Sequence, residues 1–344
     1  MTPSPMVTTP HHDAVIRRAI ASALGAFLAS KTRATEHSRL PVEPGQVLRD
    51  FLAGGKLIRP LLCVRGWQAG GGRGMPGPVL DTAASLELFH AFALIHDDII
   101  DASDTRRGRP TVHREIGTDA AILLGDLALV WSGELLQTAG LTPDQLHAAL
   151  PVIHALREDT IHGQYLDIAQ NHRPTDDLDV ARAIIRYKTT KYTVEGPLLV
   201  GAALAGADAE CRRALIAFSA PLGEAFQLRD DLLGVFGDPR DTGKPNLDDL
   251  REGKATVLMA LALRNADAAQ RQTLRRHVGN ARLREEEAAQ VRAVLTATGA
   301  RHRTEERIKQ CRSEALAALR AAPLPRHTLT ALRSLTFDAT VRNT

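Results

Sequence analysis

Aromatic side chains are scarce in this chain: among 344 residues there are eight Phe, three Tyr and two Trp. Cysteine is scarcer still. Cys63, Cys211 and Cys311 stand far apart, without the spacing of a metal site or a redox pair. That excludes a disulfide scaffold and suits a reducing interior. Long apolar runs are also missing. Residues 197–207 and 120–131, the latter broken by Asp126, fall short of the ~20 residues that span a bilayer. Strand-type alternation is nearly absent and no glycine-rich strand-to-helix turn is present, which argues against a doubly wound nucleotide fold. The chain does not open on a basic segment, an apolar run and a small-residue cleavage site. Residues 1–12, rich in Pro and Thr, are expected to form a flexible tail. These absences together predict a soluble, cytoplasmic protein without a membrane span.

What is present is helix. With 44% hydrophobic and 24% charged residues the composition is that of a globular protein. Apolar residues recur at helical spacing over 14–29, 79–102, 118–138, 143–169, 178–192, 215–236, 256–265, 285–295 and 304–321. Glycine and proline clusters at 70–78, 107–110, 173–174, 237–245 and 323–325 separate them. The pattern predicts an all-α architecture, one large helix bundle over 13–344. The net charge is +3, yet from Arg264 onward sixteen Lys/Arg face only eight Asp/Glu. Solvated helix faces account for that surplus better than an anionic partner does. No aromatics interleave the basic region, which speaks against nucleic acid.

Asp97-Asp98-Ile99-Ile100-Asp101 closes the helix that begins near residue 79. Asp97 and Asp101 share one helical face, on a stripe that also carries His90 and Ala93. Carboxylates at a helix C-terminus oppose the macrodipole, so a positive partner must compensate them, and paired carboxylates with open positions suit Mg²⁺ shared with a phosphate. A second cluster, Asp230-Asp231, lies late in the apolar helix 215–236. It too is followed by a glycine-bearing stretch with a cation, here Lys244. Two helices ending alike read as opposing walls of one cavity.

Cations fit this picture. The chain uses 36 Arg but only 7 Lys, and Lys56, Lys188, Lys191, Lys244 and Lys254 all fall in or near these segments. A lysine is a compact point charge suited to a phosphate whose oxygens move during reaction. Lys56 and Arg59 lie at a helix start, Arg106 and Arg107 follow the first cluster, and Lys188 precedes Thr189 within a helix. Metal-binding carboxylates, cations and apolar walls suit a diphosphate carried on a hydrocarbon. Singly, each cation is as well read as a surface charge. His90 fits either a hydrogen-bond donor to phosphate or a satisfied core histidine. No nucleophile elbow or triad accompanies Ser103, His96 or His113.

Across residues 54–254 these motifs resemble the trans-type isoprenyl diphosphate synthases, the polyprenyl synthetase family. The resemblance implies an all-α bundle around a central cavity, usually homodimeric, using about three Mg²⁺ ions. It implies isopentenyl diphosphate held by Lys56, Arg59, His90 and Arg107. It implies an allylic diphosphate held by Arg106, Lys188, Thr189, Gln227 and Lys244, with Lys254 near the same end. The first aspartate-rich motif would be Asp97, Asp98 and Asp101, with Asp97 and Asp101 bridging metal to diphosphate. The second would be Asp230 and Asp231. Asp97, Asp101, Arg106, Lys188 and Asp230 would carry catalysis. Gly163-Gln164-x-x-Asp167 also resembles a family segment lining the cavity. In one departure, the second motif ends in Gly234 where an aspartate is usual, which implies water in place of that carboxylate.

The resemblance further implies that residues ahead of Asp97 set product length. Phe92 followed by the small Ala93, with Phe89 below, resembles enzymes that stop at twenty carbons, geranylgeranyl diphosphate. Farnesyl diphosphate is the second choice, and both phenylalanines could instead serve only as core. A terpene cyclase of the same bundle class and a non-catalytic regulatory subunit are the remaining alternatives. The Lys56/Arg59/His90 set and the intact first motif argue against them.

Overall fold

The computed structural model describes residues 9–35, 42–170, 175–237 and 247–341. Helix α1 spans Thr9–Thr35, α2 Pro44–Leu52, α3 Ile58–Ala69, α4 Gly77–Ile100, α5 Val112–Ile116 and α6 Thr118–Gln137. α7 spans Pro143–Gln170, α8 Leu178–Ile184, α9 Gly196–Leu204 and α10 Ala209–Phe236. Further helices follow at Asp248–Glu252, Val257–Asn265, Ala268–His277, Glu285–Ala297, Ala300–Ala321 and Arg326–Thr340. Thr9 to His12, expected in the tail, are thus already helical.

Local chemistry sets the helix starts. Glu43 accepts from the N–H groups of Gly45 at 3.1 Å and Gln46 at 2.6 Å, with Pro44 in the first turn of α2. Asp208 accepts from Cys211 N–H at 2.8 Å to open α10. The only strands among the described residues, Thr105–Arg106 and Arg109–Pro110, pair antiparallel right after α4. Their two-residue turn puts Arg107 at φ 53 and Gly108 at φ 72, the left-handed pair that matches strand twist.

α4 is the axis of the fold. It packs along α6 and also meets α1 and α3. By length and composition it could cross a membrane, a feature the search for unbroken apolar runs overlooked. Its most apolar window is 67% buried among the other helices, as in the core helix of a bundle. Phe89, Leu88 and Ile95 of α4 join one core with Ile16, Leu61, Leu124 and Ile153. Leu228 and Leu232 of α10 join a second with Leu258, Leu263 and Leu295. Each such side chain stabilises the fold by about 1.5–3 kcal/mol on full burial.

Between α8 and α9 the winding changes. Residues Ile185–Glu195 form a π-helix, where the sequence suggested ordinary helix to Tyr192. A run this long is rare and enlarges the helix girth. Glycines on both neighbours make room for it. A Cβ on Gly163 of α7 would lie 2.4 Å from the Lys188 backbone nitrogen, and one on Gly223 of α10 would lie 2.6 Å from Thr190 Oγ1.

Candidate active site

A cleft of about 380 Å³ opens between the ends of α4 and α10. The three aspartates closing α4 meet different partners there. Asp97 accepts from Gln164 Nε2 at 3.0 Å and Lys188 Nζ at 3.1 Å. Asp101, 4% exposed in its side chain, lies 3.7 Å from Lys254 Nζ. Asp98 is otherwise engaged. It accepts three hydrogen bonds of 2.6–2.9 Å from Arg106, two from Nε and one from a terminal nitrogen. Expected among the metal-binding carboxylates, it has both oxygens engaged by an arginine fork. Asp98 instead fixes Arg106, which stands 3.9 Å from Asp97.

Two lysines lace the carboxylates together. Lys188, on the π-helix, bridges Asp97 and Asp167, the latter at 2.5 Å. Lys254 reaches Asp101, Asp249 at 3.4 Å and Glu252 at 2.7 Å, and so spans the cleft. Burial disfavours its charge, but Asp249, Glu252, Asp101 and Asp97 keep Lys254 protonated well above the usual lysine range. Burial also works against Asp97, yet Lys188, Lys254 and Arg106 hold it down at about 2. Asp101, by contrast, is pushed up to about 6 by burial and by Asp97.

On the opposite wall, Thr189 Oγ1 donates to Gln227 Oε1 at 2.6 Å and Gln227 Nε2 donates to Asp231 Oδ1 at 2.8 Å. Asp230 is exposed to the cleft and Asp231 is buried. Burial pushes Asp231 up to about 8 against the Gln227 hydrogen bond, with Asp249 and then Asp230 adding to the shift. Gly234 departs from expectation. The space a side chain would take there is filled by the Asp249 carboxylate rather than left to water.

The cationic end is built on Arg59. It donates to Thr193 Oγ1 at 2.7 Å, contacts His90 Nε2 at 3.1 Å and lies 4.0 Å from the Tyr192 ring centroid. Arginine has only donors, so Nε2 of His90 accepts and its Nδ1–H donates to the Tyr192 hydroxyl at 2.6 Å. Burial, then Arg59, Arg106 and Arg107, keep His90 neutral, well below the usual histidine range. Both ring nitrogens of His90 are thus engaged, one of them on Arg59. Arg59 Nε is buried without a partner. Lys56 lines the same cleft.

Other expectations fare differently. Ala93 lines the cleft, but Phe89 and Phe92 do not. Phe89 packs edge-on to Tyr192 at 5.8 Å, and Phe92 lies between Phe89 and His96. Arg107 is exposed beyond the cleft rim, its guanidinium beside Gly55 and facing the buried Glu87. Lys244 lies outside the described residues. Glu87, Tyr192, Asp249 and Glu252 were not singled out in the sequence. Glu87 alone carried a signal there, as a charge between leucines midway along α4.

The donor set fits Mg²⁺. Every candidate ligand is a hard carboxylate oxygen, and Asp101, Asp231 and Glu252 are all pushed up, a surplus of buried acid that a divalent cation would relieve. Among the described residues no three acidic or imidazole groups form a closed cage. Mg²⁺ does not need one, because it typically takes one or two carboxylates and completes its shell with water and phosphate.

Comparison with known proteins agrees with this geometry. Geranylfarnesyl diphosphate synthase of Aeropyrum pernix is 37% identical over 227 residues, 64% of this chain and 70% of that protein. The (2E,6E)-farnesyl diphosphate synthase of Mycobacterium bovis is 40% identical over 205 residues, 59% and 55% respectively. A crystal structure of geranylgeranyl pyrophosphate synthase from Corynebacterium glutamicum, complexed with isoprenyl diphosphate and magnesium, superposes with a TM-score of 0.90. It is 39% identical, covering 94% of this chain and 97% of that one. The polyprenyl synthetase family model matches residues 44–296, which embrace both aspartate clusters and the Arg59 site, and the chain belongs to that family.

Proposed function

We propose that this prenyltransferase condenses an allylic diphosphate with isopentenyl diphosphate, head to tail, to give all-trans geranylgeranyl diphosphate. One observation carries the reading: two aspartate-bearing helix ends face each other across a cleft, with a separate arginine–histidine–tyrosine site at its side. When bound, Mg²⁺ held by Asp97 and Asp101 on one wall and Asp230 and Asp231 on the other would draw charge from the leaving diphosphate. Arg106, Lys188 and the Thr189–Gln227 pair hold that diphosphate in line. Arg59 and Lys56 hold isopentenyl diphosphate, Arg59 being aimed by neutral His90 and by Thr193.

The allylic C–O pair departs with the diphosphate, and the isopentenyl double bond supplies the pair for the new C–C bond. Loss of a proton then restores a double bond. Apolar residues such as Ala93, Leu94 and Phe226 line the cleft and shelter the cation from water. The chain's contribution is placement and charge stabilisation. Product length is read from Ala93, which leaves room beside Asp97, with Phe92 behind it. The three relatives above carry names with three different product lengths, so the twenty-carbon assignment rests on these residues.

A homodimer belongs to the same reading. Leu123 is 68% and Val130 62% exposed, seven residues apart on α6, and Tyr165 of α7 is 70% exposed. Apolar side chains so placed suit a second copy of the chain. Three buried free thiols support a reducing, cytoplasmic setting. Incubation with Mg²⁺, isopentenyl diphosphate and farnesyl diphosphate, followed by chromatography, should yield a twenty-carbon product. Cyclic hydrocarbon, or no product with any allylic primer, refutes the assignment.

A further inference from the structure

Gly234 stands one turn beyond Asp230, where the second aspartate cluster lacks its last acid. The structure brings an acid to that spot from another element. An ideal Cβ on Gly234 would lie 1.8 Å from Asp249 Oδ2 and 2.8 Å from Asp249 Cγ. A side chain at 234 would have to displace that carboxylate, so glycine is what leaves it in place. Asp249 is firmly placed. Its short helix Asp248–Glu252 is anchored by buried Leu250, whose carbonyl accepts from Gly279 N–H at 2.8 Å. Arg251 next to it donates to the Leu283 carbonyl at 3.0 and 3.2 Å. Asp249 lines the same cleft as Asp230 and Asp231.

We propose that Asp249 is the missing third carboxylate of the second cluster: the acid is supplied by the helix Asp248–Glu252 of the same chain and holds Mg²⁺ at the α10 wall. The inference rests on the function proposed above, and it replaces the expectation that water fills the place of residue 234. It also sets what Gly234→Asp should do. That change drives a new side chain into the Asp249 carboxylate instead of adding a ligand. The competing role for Asp249 is ion-pair partner of Lys254, 3.4 Å away.

Calorimetric titration with Mg²⁺ in the presence of inorganic pyrophosphate reads metal binding without turnover, with circular dichroism to verify folding. Asp249→Asn should weaken Mg²⁺ at least ~10-fold, Gly234→Asp alone should not tighten it, and Gly234→Asp with Asp249→Gly should restore most of the loss by returning the acid to α10. Binding within twofold of wild type in Asp249→Asn overturns the proposal. So does a loss that the paired substitution fails to restore, which assigns Asp249 to holding Lys254. If Asp97→Ala loses Mg²⁺ while Asp249→Asn does not, only this inference fails. If the wild-type chain itself binds no Mg²⁺ with pyrophosphate, the proposed function falls with it.

Discussion

Without metal, the protein should become less stable as the pH rises from 5.5 to 8.5. Three buried acids set the sign. Asp101 is pushed from 3.8 to about 6, Glu252 from 4.5 to about 7 and Asp231 from 3.8 to about 8, each chiefly by burial. A raised acid binds its proton more tightly folded than unfolded, so its contribution is full below the unfolded value and is lost as pH climbs through the folded one. At about 1.4 kcal/mol per unit, Asp231 accounts for roughly 3.5 kcal/mol across the window and all three for at most ~6 kcal/mol. Asp97, held down at about 2, has the opposite sign, but its effect is complete below pH 4 and leaves the window untouched. His90 also opposes the fall: neutral when folded, it offsets up to about 1.4 kcal/mol as the unfolded imidazole loses its proton. In a chain of this length each kcal/mol moves Tm by about 1–2 °C, so Tm in EDTA should fall by roughly 6 °C. Asp231→Asn keeps the acceptor for Gln227 and should remove more than half of that fall in scanning calorimetry. A Tm that holds or rises with pH, or an Asp231→Asn protein with the wild-type slope, refutes the reasoning.

Four further outcomes are expected. Asp97→Ala should lower turnover by at least ~10² with Tm little changed, and near-normal rates at saturating Mg²⁺ would remove Asp97 from the site. Arg59→Ala should raise KM for isopentenyl diphosphate far more than for the allylic primer, and Lys188→Ala should do the reverse or depress kcat; equal effects mean the pockets are misassigned. Phe92→Ala should lengthen the product and Ala93→Phe shorten it. Phe92 is the better probe than fully buried Phe89, whose truncation costs about 3–5 kcal/mol of stability, and unchanged lengths place the floor of the cavity on another helix. Leu123→Glu with Val130→Glu should give a monomer in light scattering, and a retained dimer means a different interface.

The sequence made the two aspartate helices legible because both carry long apolar periodicity and a charge run no core tolerates unpaired. It could not separate Asp97 from Asp98. The distinction depends on where Arg106 folds back, eight residues later, and no spacing rule fixes that. α2, α9 and the helices after Ala300–Ala321 and Val257–Asn265 were missed as elements, and of α3 only the start was read, because they are short, interrupted or polar and only tertiary contact decides them. Asp249 and Glu252 sat in a charged stretch that reads as solvated surface. Their inward turn is set by Leu250 and by the Arg251–Leu283 contact, both long-range. His90 was legible as a site residue, but its partner was not, since Tyr192 meets it from 102 residues away.

The π-helix Ile185–Glu195 makes the enzyme unusually sensitive to insertions and deletions at one place. Bonding from i to i+5 brings residues five apart nearly into line, whereas α winding would set them about 140° apart. Lys188 at the aspartates and Thr193 at Arg59 are five apart, so one stretch of backbone reaches both ends of the cleft only while the wider winding lasts. Losing a single residue here would let the segment rewind as ordinary α-helix without breaking it. The chain would keep its bundle, the recesses at Gly163 and Gly223 would face a slimmer helix, and one of the two pockets would lose its cation or its hydroxyl. Length variation among relatives should therefore be tolerated in the surface turns around this segment and absent within it.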